Sequence, residues 1–317
     1  MPRSKMTRRA GIATAIGMAF GLLSGTASAL TISTINSTAG IENTLTNALL
    51  SPGGGVSIVP GSVTYQGTNT AALQQSGTYS GFNLAPSSGS TPTLTLGNGI
   101  FLTSGSANIP FSNTVNQFSS ETGSGSNALL STLSGTNTND ANVLSFNFNV
   151  AAGQTSISAQ FVFGTDEFPT QSVTDIFGFF VDGTNFAKFA GGDLISNTSG
   201  NPTNFINNPV GGGLYGIEYN GLTQVFTVTG ILGTPNAGGS HTLTIGIADT
   251  DDTIFDSGVF VTSLTAGSAT GGGGIVDTPP PPVGAIPEPE TYALMLAGLA
   301  VLGGVAKRRG QHGRRSR

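Results

Sequence analysis

The 317-residue chain has no cysteine, no tryptophan and two histidines, and only 9% of its residues are charged. Without cysteine there is no disulfide, thiolate metal site or cysteine nucleophile, so stability has to come from packing or from bound metal. That absence does not argue against export, because many exported bacterial domains manage without bridges. Bases are scarcer still where they matter. Ten of the eleven Lys and Arg lie within 3–9 or 307–317, so between Leu30 and Ile286 Lys188 stands alone against fourteen acids, a net charge of −13. Such a body disfavours nucleic acids and anionic membranes, whose phosphates must be met by Lys and Arg. Cations are its natural counterparts. Of the histidines, His312 lies in the basic tail, and His241 follows Gly238-Gly239-Ser240 and reads as a solvated turn residue. There is no Gly-x-Ser-x-Gly elbow, and no Gly-rich loop leads into a helix with a Lys, so serine-nucleophile and phosphate-binding chemistry are not indicated. The lack of Trp argues against an ordinary carbohydrate-stacking platform and leaves Tyr65, Tyr79, Tyr215 and Tyr219 for that role.

What is present is apolar content with a period of two. Hydrophobic residues make up 37% of the chain, with 19 Phe and 48 Gly, enough for one β-domain of about 250 residues once both ends are set aside. Leu144, Phe146, Phe148 and Val150 alternate with polar residues. So do Ile157, Ala159, Phe161 and Phe163, then Phe177, Phe179 and Val181, and later Leu243, Ile245 and Ile247. Ala151-Ala152-Gly153-Gln154 between the first two strands, and Asp182-Gly183 after the third, predict turns between antiparallel neighbours. The expected fold is all-β, a β-sandwich whose topology, jelly-roll-like or Ig-like, stays open. One short helix is expected from Gly40 to Leu50, where Ile41, Leu45 and Leu49 share a face. Asp193 to Gly213 is Asn/Gly-rich and reads as a variable insertion.

The ends carry addresses. Residues 1–29 have the form of a secretory signal: Arg3, Lys5, Arg8 and Arg9, an apolar stretch from Ala10 to Leu23, and the cleavage site Ala27-Ser28-Ala29. Cut by signal peptidase, the mature chain would begin at Leu30 and hold its domain within 30–267. A Gly/Pro linker follows at 268–285, then Ile286-Pro287-Glu288-Pro289-Glu290, an uncharged apolar run at 292–306, Lys307-Arg308-Arg309 and a basic tail at 310–317. The run is marginally long enough to span a bilayer, and the bases after it place that end in the cytoplasm with the body outside.

Pro287, Glu288 and Pro289, the apolar run and the basic cluster at 286–309 resemble the PEP-CTERM sorting signal of exopolysaccharide-producing Gram-negative bacteria. The resemblance implies recognition by exosortase, cleavage near the Pro-Glu-Pro, transient inner-membrane anchoring and a final place at the cell surface or outside the cell. The body resembles the choice-of-anchor L domain. The residues that carry this are Ser62–Gly67, Leu96–Gly105, Asp140–Phe146, Phe161–Phe168 running into Asp175–Phe180, and Ile247–Asp249 with Asp256–Phe260. That family implies a surface or matrix protein.

Two acidic clusters stand out in the body: Asp166-Glu167 with Asp175, and Asp249, Asp251 and Asp252 with Asp256. Calcium takes six to eight hard oxygen ligands, and the second cluster offers several carboxylates in one loop, so Asp249, Asp251, Asp252 and Asp256 are the candidate metal residues. The competing reading makes them turn caps and solubilising surface charge. Asp166 and Glu167 as a hydrolytic pair would need a partner such as Asp256, since adjacent residues on a strand point to opposite faces. The sequence therefore predicts a non-enzymatic, structural or adhesive surface or matrix protein. An exopolysaccharide-binding module is the alternative, and a carboxylate-dependent glycoside hydrolase stands behind that.

Overall fold

The computed structural model describes residues 29–276, apart from 90, 170, 172–173 and 197–201. The expected signal peptide, the Pro-Glu-Pro motif and the apolar run at 292–306 lie outside the described residues. Within them no helix is long and apolar enough to cross a membrane. In chain order the first elements are β1 (Thr31–Thr34), α1 (Ile41–Leu49), β2 (Val56–Ile58), β3 (Thr64–Gln66), β4 (Ser76–Ser80), β5 (Asn83–Leu84), β6 (Leu94–Thr95), β7 (Gly99–Thr103) and α2 (Ala128–Ser134). Next come β8 (Thr138–Val150), β9 (Ser156–Thr165), β10 (Ile176–Val181), β11 (Thr184–Asn185), β12 (Phe205–Asn207) and β13 (Gly221–Thr223). The last are β14 (Phe226–Ile231), β15 (His241–Thr250), β16 (Ser257–Gly267) and β17 (Gly274–Val276).

The fold is all-β, as expected, with two main antiparallel sheets. The larger runs β1-β4-β7-β16-β9, with β13-β12 continuing from one end of β9 and β14-β17 from the other. The smaller runs β11-β10-β15-β8, where β2 and β3 pair with different parts of β8. Their facing rows form the core: Phe161, Phe163, Val259 and Val261 from the larger sheet meet Phe146, Phe177, Phe179, Leu243, Ile245 and Ile247 from the smaller. Phe161 and Phe177 touch across the gap with ring centroids 5.1 Å apart. Burying each such ring contributes ~1.5–3 kcal/mol.

One expected pairing fails. β8 and β9 are joined by a short turn but belong to different sheets, so the segment after Val150 crosses the sandwich instead of closing a hairpin. The physical reason is that both strands bury long aromatic rows, and each row finds the other as its packing partner across the ~10 Å between sheets. The second turn does behave as expected: β10 and β11 pair through Asp182-Gly183, both with positive φ.

Helix α1 buries Ile41, Leu45 and Leu49 on one face, as its spacing requires. Helix α2, capped by Asn127, covers the outer face of the smaller sheet, where Leu130 packs with Ile176, Phe180 and Ala248. A third apolar layer covers the outer face of the larger sheet. There Phe101 and Phe260 stack at 4.3 Å beside Phe82, Tyr215 and Tyr219. Two regions outside the expected strands also join the architecture. Ile195 and Phe205, within the Asn/Gly-rich 193–213 stretch, are buried in the core. Gly274–Val276, from the Gly/Pro stretch, adds a strand beside β14.

Candidate functional site: a buried carboxylate layer

Three neighbouring strands of each sheet meet at one end of the sandwich, and each brings a polar group there. In the larger sheet β7 ends into Ser104-Gly105, β9 ends into Asp166-Glu167, and Asp256 immediately precedes β16. In the smaller sheet Asp175 immediately precedes β10, Asp249 is near the end of β15, and Asp140 lies near the start of β8. Alternation decides which way they face. Asp175 continues the inward row of Phe177, Phe179 and Val181, and Asp249 that of Leu243, Ile245 and Ile247. The apolar core thus ends in a layer of carboxylates.

Register makes these acids opposite neighbours. β10 and β15 pair Ile176 with Ala248, so Asp175 and Asp249 stand opposite each other one step further on. β16 and β9 pair Ser257 with Thr165, which sets Asp256 opposite Asp166; the Asp166 N–H donates to the Asp256 carbonyl at 3.2 Å. Like charges directly opposite in a sheet are destabilising. Burial compounds the cost: Asp166 is 1% exposed, Glu167 2%, and Asp175, Asp249 and Asp256 0%. Removal from water is the leading cause that pushes Asp166 up to about 8, Glu167 up to about 9 and Asp256 up to about 7. For the same reason, Asp175 and Asp249 lie well above the carboxylate range, and neighbouring acids add to the shift.

Seven acids are buried here, and they divide by what their oxygens meet. Asp140 accepts from the N–H groups of Thr122 and Gly123 at 3.0 and 2.7 Å, and Glu218 from those of Val115 and Thr114 at 3.0 and 3.4 Å. Those two acids pin the long connection between β7 and α2. Glu167 Oε2 accepts from the Asp175 N–H at 2.5 Å. Asp166 and Asp256 each spend one oxygen, on the N–H groups of Asn220 (3.0 Å) and Ser120 (3.1 Å), and the other oxygen of each accepts no hydrogen bond. Oδ1 of Asp175 and both oxygens of Asp249 also accept none. The Ser104 hydroxyl, 3.4 Å from Asp175 Oδ2, links the two sheets, while the hydroxyls of Ser257 and Tyr219 find no hydrogen-bond partner. Gly105 is needed for this packing: a Cβ there would lie 1.6 Å from Asp256 Oδ2.

The four candidate metal residues therefore separate. Asp249 and Asp256 are buried at the same end as Asp166, Glu167 and Asp175, Asp249 inward beside Asp175 and Asp256 opposite Asp166 on the outer face of the larger sheet, so the two sequence clusters meet at one end of the sandwich. Asp251 is exposed, with a left-handed φ of 63°, and accepts a hydrogen bond from the Thr136 hydroxyl. Asp252 is half-buried and accepts from the Ile254 N–H at 3.4 Å. Among the described residues no three Asp, Glu or His side chains form a ready-made metal cage. Sequence reasoning missed Asp140 and Glu218 as members of this end, because their partners lie 17 to 104 positions away along the chain. The sole bases of the body stay away: Lys188 is exposed, and His241 begins β15 at the opposite end.

Two smaller expectations are corrected. His241 is buried, not solvated; its Nδ1 lies 2.8 Å from Asp182 Oδ2, because the β10-β11 turn carries Asp182 beside it. Tyr79, Tyr215 and Tyr219 cannot serve as stacking platforms, since all three are buried under the third apolar layer. Tyr65 hydrogen-bonds Ser76 and Asn69.

A family profile for the PEP-CTERM protein-sorting motif matches residues 285–309, and one for the choice-of-anchor L domain matches residues 33–268. No curated protein and no solved structure matches the chain. Together the two profiles mark an exported, surface-associated protein with a sorting signal of the kind exosortase processes. The match over 33–268 takes in the sandwich from within β1 to the end of β16, all its strands but β17, and on it the chain belongs to the choice-of-anchor L domain family.

Proposed function

We propose that the exported body is a non-catalytic structural or adhesive component of the cell surface or extracellular matrix, held briefly in the inner membrane through 292–306 until exosortase acts at Pro287-Glu288-Pro289. The observation that carries this reading is the burial of Asp166, Glu167, Asp175, Asp249 and Asp256, which keeps the acids with raised pKa values away from any substrate. Hydrolysis of a glycoside needs two carboxyl groups flanking one bond in a cleft. Three surface pockets, of about 620, 300 and 390 Å³, contain no acid in their linings.

The test uses a strain lacking the protein. Loss should weaken cohesion of the surface layer, and the full chain should restore it. A chain with Pro287, Glu288 and Pro289 changed to Ala should stay in the membrane fraction and fail to restore it. Unchanged cohesion on deletion, or polysaccharide turnover abolished by Asp166→Asn, would overturn the reading.

One observation favours the exopolysaccharide-binding alternative. The 620 Å³ groove on the larger sheet is mainly apolar, with Ser158, Gln160, Thr229 and Thr265 set among Pro52, Ala159, Ala266 and Val276, a mixed surface of the kind a sugar ring packs on. Saturable binding on a glycan array, lost in Gln160→Ala, would support it.

A further inference from the structure

We propose that Asp175 and Asp249, where the inward rows of the smaller sheet end, are the direct carboxylate ligands of a calcium ion, with Asp256 at the neighbouring strand end of the larger sheet as a further negative charge. The inference does not depend on the matrix role.

Three observations converge on it. First, Asp249 is fully buried and its oxygens have beside them the Ser104 hydroxyl and the Asp175 carboxyl but no hydrogen bond of ordinary geometry, although buried polar atoms are almost always paired. Second, orphaned oxygens concentrate here. Asp166 Oδ2, Asp175 Oδ1, both Asp249 carboxylate oxygens, Asp256 Oδ2, the Ser257 hydroxyl and the Tyr219 hydroxyl account for seven of the ten partnerless buried side-chain atoms among the described residues. Third, the register sets Asp175 against Asp249 and Asp166 against Asp256, two like-charge pairs with no protein cation beside them. A divalent cation between Asp175 and Asp249 would take their orphaned oxygens as ligands and convert that facing pair from a repulsion into a clamp between strands.

The ligand chemistry favours calcium. Every available donor is a hard oxygen, and no His or Cys is near. Hard oxygens suit calcium and magnesium alike, and calcium is the ion that tolerates the irregular donor set that strand ends from two sheets supply, whereas magnesium holds to an octahedron. In this site two carboxylates bind directly, and neutral oxygens, those of Ser104 and Ser257 among them, complete the shell. Ser104 lies on the larger sheet and Asp175 on the smaller, so the ion would tie the two sheets together where the apolar core ends. Gly105, which leaves room for the Asp256 carboxylate, has its explanation in the same site.

The test is calcium binding to the full chain, solubilised and stripped with chelator, followed by titration calorimetry and by thermal unfolding with and without calcium. The expected result for the unaltered chain is one ion bound, with Kd in the extracellular-module range of roughly 10⁻⁴–10⁻³ M, and a higher midpoint in calcium. Asp175→Asn and Asp249→Asn should each weaken binding at least tenfold and remove the rise in midpoint. Asp251→Asn and Asp252→Asn should leave both within about twofold of the unaltered chain. No saturable binding by the folded, unaltered chain would overturn the proposal without any variant. Binding lost in Asp251→Asn but kept in Asp249→Asn would overturn it in favour of the exposed loop.

Discussion

Strand β15 treats buried charge in opposite ways at its two ends. At its start His241 meets Asp182, whose oxygens also accept from the N–H groups of Gly233 and Thr242, both at 2.9 Å. Eight residues later, ~27 Å along an extended strand, Asp249 faces Asp175 with no protein cation in reach. The first end is complete within the chain. The second carries more negative charge than the protein itself compensates, and a fold that keeps such a layer depends on something bound, either protons or a cation. The difference teaches that the acids of this cation-poor chain are not uniformly surface charge. Asp182, Asp140 and Glu218 are structural acceptors, whereas Asp175 and Asp249 have binding capacity to spare.

Experiments can sharpen that contrast, and pH gives the largest effect. In chelator the folded pKa values of Asp166, Glu167 and Asp256 lie at about 8, 9 and 7, above unfolded values near ~4. The folded state then holds protons that the unfolded chain has released, so stability falls as pH rises from ~4 through ~9. Denaturant midpoints measured across that window should decline steadily in chelator and much less in calcium. A flat profile in chelator would mean that the acidic end is already compensated.

Next in size is Gly105→Ala, which drives a methyl into the Asp256 carboxylate and should cost about 3 kcal/mol by chemical denaturation. Adding Asp256→Ala should recover part of that loss, and strictly additive losses would sink the packing argument. Asp182→Ala removes three acceptor contacts at the complete end and should cost about 2 kcal/mol whether or not calcium is present. Asp249→Asn should do the reverse at pH 8 in chelator. It keeps that position neutral at every pH, removing the cost of ionising a buried acid opposite Asp175, and offers Asp175 a donor, for a gain of about 1 kcal/mol. A loss of stability there would erase the distinction between the two ends of β15. The smallest effect belongs to Asp251→Asn: the side chain is exposed, and Asn tolerates its left-handed backbone, so the midpoint should barely move.

Much of the fold was legible because alternation is local. Leu144 to Phe148, Ile157 to Phe163, Phe177 to Val181 and Leu243 to Ile247 all form strands with those residues inward, and Ile41, Leu45 and Leu49 do share a buried helical face. The same alternation, carried two residues further, already aims Asp175 and Asp249 at the core. What it could not show is which strands pair. The turn after Val150 reads as a hairpin because its local chemistry is that of one, yet packing between aromatic rows sends β9 to the other sheet. Helix α2 was missed because it is only seven residues long and buries only Leu130.

The sequence by itself determined the all-β class, the inward rows, the missing cations and, through motifs at 285–309 and 33–268, membership of a surface family with a sorting signal. Those properties rest on spacing within short stretches or on composition, which need no knowledge of neighbours. Only the tertiary structure decided that Asp175 and Asp249, 74 positions apart, form one pair, that Asp256 and Asp166 form another, and that Asp251 and Asp252 stay outside. Cross-strand register sets those relations, and register depends on packing across the whole sandwich, which no local pattern encodes.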